Sequence, residues 1–212
     1  MVAEVPVKGV FEENCYFFID DPTKHGFVID PGAQGEGLLR LIRKERWTIE
    51  KILLTHGHFD HTGAVDLLRK ELGIPVLAHS RSREYLLDPR MNLSVFCGPP
   101  LVIKETASFD EGDVIMLSAA PAISLRVLYT PGHTTDSVVL YSAAERAAFV
   151  GDTIFKGSLG DTRYPGGKRS DLLRSIGEKN ILSSGGHSSL LRPLRKDNCR
   201  SRKKKIWNVI LH

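Results

Sequence analysis

Two rhythms of apolar and polar positions run along the chain, and the change from one to the other marks the elements. Cys15 to Ile19 (CYFFI) and Phe27 to Ile29 are short apolar runs separated by the turn residues Asp20-Asp21-Pro22, so they read as a strand pair. Asp30-Pro31-Gly32 then breaks the chain. From Glu36 to Trp47 the apolar residues Leu38, Leu39, Leu41 and Ile42 recur among charges at helical spacing, which predicts a helix with one face on a sheet. Ile52-Leu53-Leu54 reads as a strand buried on both faces. Thr62 to Leu72 returns to helical spacing and stops at Gly73, Pro75 to Ala78 is the next strand, and Ser80 to Leu87 a further helix. Asp88 to Pro100, with Pro89, Gly98, Pro99 and Pro100, reads as a loop flanking a cleft. Strand patterns return at Val114 to Leu117, Leu125 to Tyr129, Val138 to Tyr141 and Ala147 to Val150. Strands alternate with helices in the first half and follow one another in the second, which predicts an α/β fold of mixed sheets covered by helices.

A length of 212 residues suits one domain with a sizeable core, and 42% apolar with 25% charged residues excludes disordered and coiled-coil classes. The net charge of +4 suggests an anionic partner until its location is considered. Residues 190–212 hold eight basic residues against one acid, a net +7, so the rest of the chain is mildly acidic. The chain is expected to divide into a mildly acidic body, 1–182, and an atypical basic tail, 183–212. Cys15, Cys97 and Cys199 are an odd number without close spacing, which fits reduced thiols in the cytoplasm; Cys15 and Cys97 read as small buried groups. The N-terminus lacks the apolar run of a signal peptide, and no stretch is long and apolar enough to span a membrane.

After the strand at Ile52 comes Thr55-His56-Gly57-His58-Phe59-Asp60-His61-Thr62, three imidazoles and a carboxylate just before a helix. Imidazole and carboxylate suit zinc and iron, and a bend after a strand lets His56 and His58 face one ion while Asp60 and His61 face a second. Two other strands lead through a glycine to a ligand-type residue: Thr130-Pro131-Gly132-His133, and Gly151-Asp152-Thr153. Asp152 has two oxygens and is able to bridge two cations, which an imidazole is not. Isolated histidines His25, His79 and His212 read as solvated or core residues, and Asp30 as a turn residue that also backs a ligand.

THGHFDH, PGHTTDS and FVGDTIF, with GVFEENCYFFID, VIDPG, GDTIFKGSLG and YPGG around them, resemble the motif series of the metallo-β-lactamase superfamily, and most of all its glyoxalase II-like branch. The resemblance covers roughly residues 8 to 182. It implies an αββα sandwich, two mixed sheets between helical layers, with a two-metal site at one edge. It further implies that His56, His58 and His133 hold a first metal, that Asp60 and His61 hold a second, and that Asp152 bridges. The metals would be zinc, with iron or manganese as alternatives. A hydroxide between the ions would attack a small-molecule thioester or ester, with Asp60 orienting it or taking its proton and with Thr55 and Thr62 supporting the ligands.

Three departures qualify the match. Asp161 stands where the branch usually has arginine, and Asp136 where it commonly has glycine, in a loop at the rim of the site. The final metal histidine of the family, about 40 residues after the bridging Asp, has no counterpart: His187 has the wrong spacing and flanks. Reading the codons from Ser184 onward in a shifted frame permits a Gly-His pair whose histidine codon straddles Pro193 and Leu194, so the tail is an out-of-frame C-terminus on this expectation, which the nucleotide sequence decides. Three other readings stand beside the hydrolase: an iron persulfide dioxygenase-like enzyme, a nucleic-acid-binding member using the basic tail, and an impaired product with a weak second metal. The tail lacks interleaved aromatics, so nucleic acid is the less favoured partner. The oligomeric state and the acyl or thiol group are not encoded in any pattern.

Overall fold

The computed structural model describes residues 1–155 and 157–179, and the backbone of 209–211. Strands β1 (Val2–Lys8), β2 (Glu12–Ile19) and β3 (His25–Ile29) run antiparallel, and β4 (Thr48–Leu53), β5 (Val76–His79) and β6 (Ala107–Phe109) continue the same sheet in parallel. A second, antiparallel sheet is formed by β7 (Val114–Met116), β8 (Ser124–Tyr129), β9 (Val138–Ser142) and β10 (Ala147–Phe149). A two-stranded ribbon, β11 (Ile154–Phe155) with β12 (Ser158–Leu159), follows, and β13 (Val209–Leu211) pairs with the free edge of β10. Among the described residues the α-helices are α1 (Gly35–Glu45), α2 (Phe59–Thr62), α3 (Val65–Leu72), α4 (Arg83–Leu86) and α5 (Arg169–Glu178).

Side-chain alternation sets the layers. Along β2, Cys15, Phe17 and Ile19 pack with Leu38, Leu39 and Ile42 of α1 and Val65 and Leu68 of α3. Tyr16 and Phe18 point the other way, against Leu125, Val127, Val138, Leu140 and Phe149 of the second sheet. The rings of Tyr16 and Phe18 meet Phe149 edge-on at 5.5 and 5.6 Å. The outer face of the second sheet, through Val139, Ala148 and Val150, is covered by Leu172 and Ile176 of α5. The order is helices, sheet, sheet, helix: the αββα sandwich.

Several elements differ from the sequence pattern for identifiable reasons. The helix expected over Thr62 to Leu72 is two helices, because the backbone turns at Gly63 and Ala64, where the Ala64 N–H donates to the Pro31 carbonyl at 2.9 Å. Ser80 to Leu87 is a 3-10 turn followed by the short α4. β1, β6 and α5 go beyond the pattern. The domain boundary near 182, His187 and the shifted-frame segment, apart from the backbone of 209–211, lie outside the described residues. Among the described residues no helix is long and apolar enough to cross a membrane.

Candidate metal centre

Three strand ends deliver the site. The chain leaves β4 into residues 54–58, leaves β8 into 130–133 and leaves β10 into 150–152, all at one edge of the sandwich. Hydrogen bonds between these exits hold them together: the Val138 N–H donates to the Thr55 carbonyl at 2.9 Å, and the hydroxyls of Thr130 and Thr153 lie 3.2 Å apart. Gly151 takes a left-handed φ of 48°, and a Cβ there would collide with the Thr55 side chain, so the turn carrying Asp152 closes onto the turn carrying His56 only with glycine.

His56, His58 and His133 converge. His56 Nε2 lies 3.1 Å from His58 Nδ1, and His133 Nε2 lies 3.0 Å from the same atom. The partners of the outer nitrogens fix the tautomers. Thr55 Oγ1 donates to Asp30 Oδ2 at 2.6 Å and so accepts from His56 Nδ1 at 3.2 Å. His133 Nδ1 donates to the Asp161 carbonyl at 2.6 Å. Both Nε2 atoms therefore present lone pairs to the space they share with His58. Burial holds His56 and His58 well below the usual imidazole pKa, in the neutral form that binds cations. Four-coordinate zinc with Zn–N bonds of about 2.05 Å sets its ligand nitrogens about 3.3 Å apart, close to what is seen here.

A second cluster adjoins the first. His61 Nδ1 donates to Asp30 Oδ2 at 3.1 Å, which leaves the Nε2 lone pair facing Asp152 Oδ1 at 3.2 Å and Glu13 Oε2 at 3.7 Å. His61 Nε2 and Asp152 Oδ1 are buried and have no hydrogen-bond partner among the described residues. A lone pair facing carboxylate oxygens is repulsive unless a cation or a proton sits between them. Burial alone would depress His61, but Asp152, Glu13 and Asp30 push its pKa well above the ordinary value. Asp152 stays ionised: although burial works against it, His61 and His133 hold its pKa down to about 2. Its Oδ2 lies 3.6 Å from His133 Nε2, so its two oxygens are shared between the clusters. Burial raises the Asp60 pKa, and a carboxylate oxygen of Asp60 lies within 4.8 Å of donor atoms of Glu13 and His61. These donor groups fit divalent cations.

All six residues singled out from sequence are thus gathered in adjoining clusters. Asp30 serves as a positioning group, accepting from the Thr55 N–H at 2.8 Å as well as from His61. Thr62 donates to the His58 carbonyl at 3.0 Å. At position 161 the backbone carbonyl, which any residue supplies, orients His133; the side chain pairs with Arg163. Asp136 is not at the rim: it is fully buried, and neither carboxyl oxygen has a hydrogen-bond partner among the described residues. Glu13 was not foreseen from sequence, and nothing in its local pattern marks it.

Comparison with known proteins places these clusters in context. The family model described as "Metallo-beta-lactamase superfamily" matches residues 9–187. The chain is 36% identical over 184 residues to "Probable metallo-hydrolase YqgX" of Bacillus subtilis, spanning 86% of this chain and 85% of the relative. It is 29% identical over 194 residues to hydroxyacylglutathione hydrolase GloC of Haemophilus influenzae, spanning 87% and 89%. Among solved structures, BLEG-1 B3 metallo-β-lactamase aligns with a TM-score of 0.78 at 34% identity, over 84% of this chain and 85% of that one. TTHA1623 in a di-iron-bound form aligns with a TM-score of 0.72 at 29% identity, over 86% and 87%.

Proposed function

Because the chain belongs to the metallo-β-lactamase superfamily, we propose that it is a metal-dependent hydrolase cleaving a small-molecule thioester or ester, with an S-acylglutathione as the representative substrate. The observation that carries this reading is the pair of adjoining donor clusters with Asp152 between them. The similarity to hydroxyacylglutathione hydrolase GloC supports the thioester class.

Divalent ions such as zinc, iron or manganese, if held here, would supply Lewis acidity toward a carbonyl and toward a water molecule at neutral pH. His56, His58 and His133 would hold the first ion through ring nitrogens, those of His56 and His133 directed by Thr55 and the Asp161 carbonyl. Asp60, His61 and Asp152 would hold the second. The Asp60 carboxylate would also orient the attacking water and accept its proton. Tyr85 and Tyr164 set their rings edge-on to His58 at 5.9 Å and wall that side of the site. A cavity of about 250 Å³ beside Asp60, lined by Phe11, Phe59, Cys97 and Leu101, offers room for an apolar acyl group. On this reading the basic tail serves no nucleic-acid partner, and deleting residues 183–212 leaves RNA affinity unchanged.

The test is thiol release from a panel of S-acylglutathiones by the purified full chain, with and without a chelator. Chelator-sensitive release that falls at least 100-fold in Asp60→Asn supports the reading; no release from any thioester or ester in the metal-loaded protein removes it. A second reading has its own observation: His133 Nε2 with Asp152 Oδ2 at 3.6 Å, and one more histidine, makes the two-histidine, one-carboxylate pattern of non-haem iron oxygenases. Oxygen consumption on glutathione persulfide without thioester cleavage selects that reading.

A further inference from the structure

The sequence motifs leave the second cation position short of ligands, with Asp60, His61 and a share of Asp152. The structure offers one more group. Glu13 stands at the start of β2, 5% exposed, while Glu12 beside it faces solvent. Alternation along β2 puts Glu13 on the side of Cys15 and Phe17, toward the helical layer, where α2 packs with Asp60 and His61 on its single turn. Donor atoms of Glu13, Asp60 and His61 all lie within 4.8 Å of one another. Two atoms aim into the same space: His61 Nε2, whose lone pair is directed there by the bond from Nδ1 to Asp30, and Asp152 Oδ1, both fully buried and without hydrogen-bond partners among the described residues.

We infer that Glu13 is a ligand of the second cation position, completing it from the N-terminal strand with Asp60, His61 and Asp152, and that this position takes a hard divalent ion of the manganese or ferrous class. The inference rests on the two-cluster reading of the site and adds both a ligand and an ion preference to it. The preference follows from the donors. The first position is three imidazole nitrogens, a set that suits zinc, whereas Glu13, Asp60 and His61 offer one imidazole and two carboxylates, a set that suits manganese and other oxygen-seeking ions. The two positions are chemically unequal, and a mixed pair of metals is the form they select.

The experiment uses the full chain stripped of metal. Zinc is added to one equivalent, then manganese is titrated while the electron paramagnetic resonance signal of the free ion is followed. The expected result is one tightly held manganese per chain, weakened at least 10-fold in Glu13→Gln, with zinc affinity unchanged within twofold. A second measurement needs no variant: crystals of the unmutated protein soaked in manganese should show anomalous density with a Glu13 oxygen within about 2.4 Å of the ion, a metal–carboxylate bond length. Manganese affinity unaltered in a folded Glu13→Gln protein, a Glu13 oxygen well beyond bonding distance from the ion, or a chain that takes a single ion in total, each overturns the inference. Failure of thioester hydrolysis in a protein that binds manganese through Glu13 removes the proposed substrate and leaves this inference standing. Hydrolysis with manganese bound equally well by Glu13→Gln does the reverse.

Discussion

Asp30 illustrates how one carboxylate governs several others. It occupies a left-handed φ of 49°, accepts from the Thr55 backbone and hydroxyl, and receives the His61 Nδ1 proton. Because it fixes which His61 nitrogen is free, Asp30→Asn should weaken metal binding at the second position about 10- to 100-fold, measured by competition with a chelating dye. Asp136 is the opposite case, a fully buried carboxyl whose oxygens have no hydrogen-bond partner among the described residues. Burial lifts its pKa above 3.8 in the folded protein, so it favours folding below that value and disfavours it as pH rises through the folded value. Asp136→Asn should therefore gain about 1 kcal/mol of stability at pH 7, with the gain gone by about pH 4, as read from urea unfolding at the two pH values. The contrast explains what sequence reveals at single positions. His56, His58, Asp60 and His61 announce themselves because they lie within one short segment, whereas Glu13 and Asp30 reach His61 only through the sheet. Asp136 in a polar loop sequence reads as exposed; only the packing of Tyr85 and Gly57 around it encloses it.

Between elements, β4 ties the two sheets together through side chains as well as through the core. Glu50 on β4 accepts from the backbone N–H groups of Ser118 and Ala119, which lead out of β7, and Lys51 donates to the Met116 carbonyl at 3.0 Å. Burial opposes the Glu50 charge, but the Ser118 and Ala119 N–H groups and His25 outweigh it and hold its pKa near 2. The stability it contributes is full above its ordinary 4.5 and is lost as pH falls toward 2. Glu50→Gln should cost about 1–2 kcal/mol at pH 7 and almost nothing at pH 2, as measured by denaturant unfolding. Phe149, which meets both Tyr16 and Phe18 across the sheet interface, is the larger anchor; Phe149→Ala should cost about 3–5 kcal/mol in the same measurement. The strands with long apolar runs were legible in the sequence because both faces of each sheet are buried. β1 was not, because Glu4 and Pro6 interrupt it in the manner of an edge strand, and β6 is three residues long. α5 escaped because it buries only Leu172, Ser175 and Ile176, too narrow a stripe to stand out from the polar residues around it.

Across the sandwich, the layers do their work by bringing three chain exits to one edge, and the second sheet is closed on its β10 side by β13. Ending the chain at residue 179 opens that strand edge, so the truncated protein should melt at a lower temperature and scatter light on concentration where the full chain does not. The sandwich was implied by the family resemblance that the motifs carry, and mixed sheets covered by helices by the alternation of strands and helices, while the partner of β10 was not legible, since it comes from a segment whose composition resembles nothing upstream. The ring of acids around His61 has one further consequence. Glu13, Asp30, Asp60 and Asp152 are four carboxyl groups enclosed in one corner, and two dications would bring their formal charge to zero. On the proposed reading the ions would be counter-charges for the protein as much as reagents for a substrate, and would exchange with protons. Stripping both ions in unbuffered solution should make the medium more alkaline, because the emptied corner takes up hydrogen ions in proportion to the metal it releases.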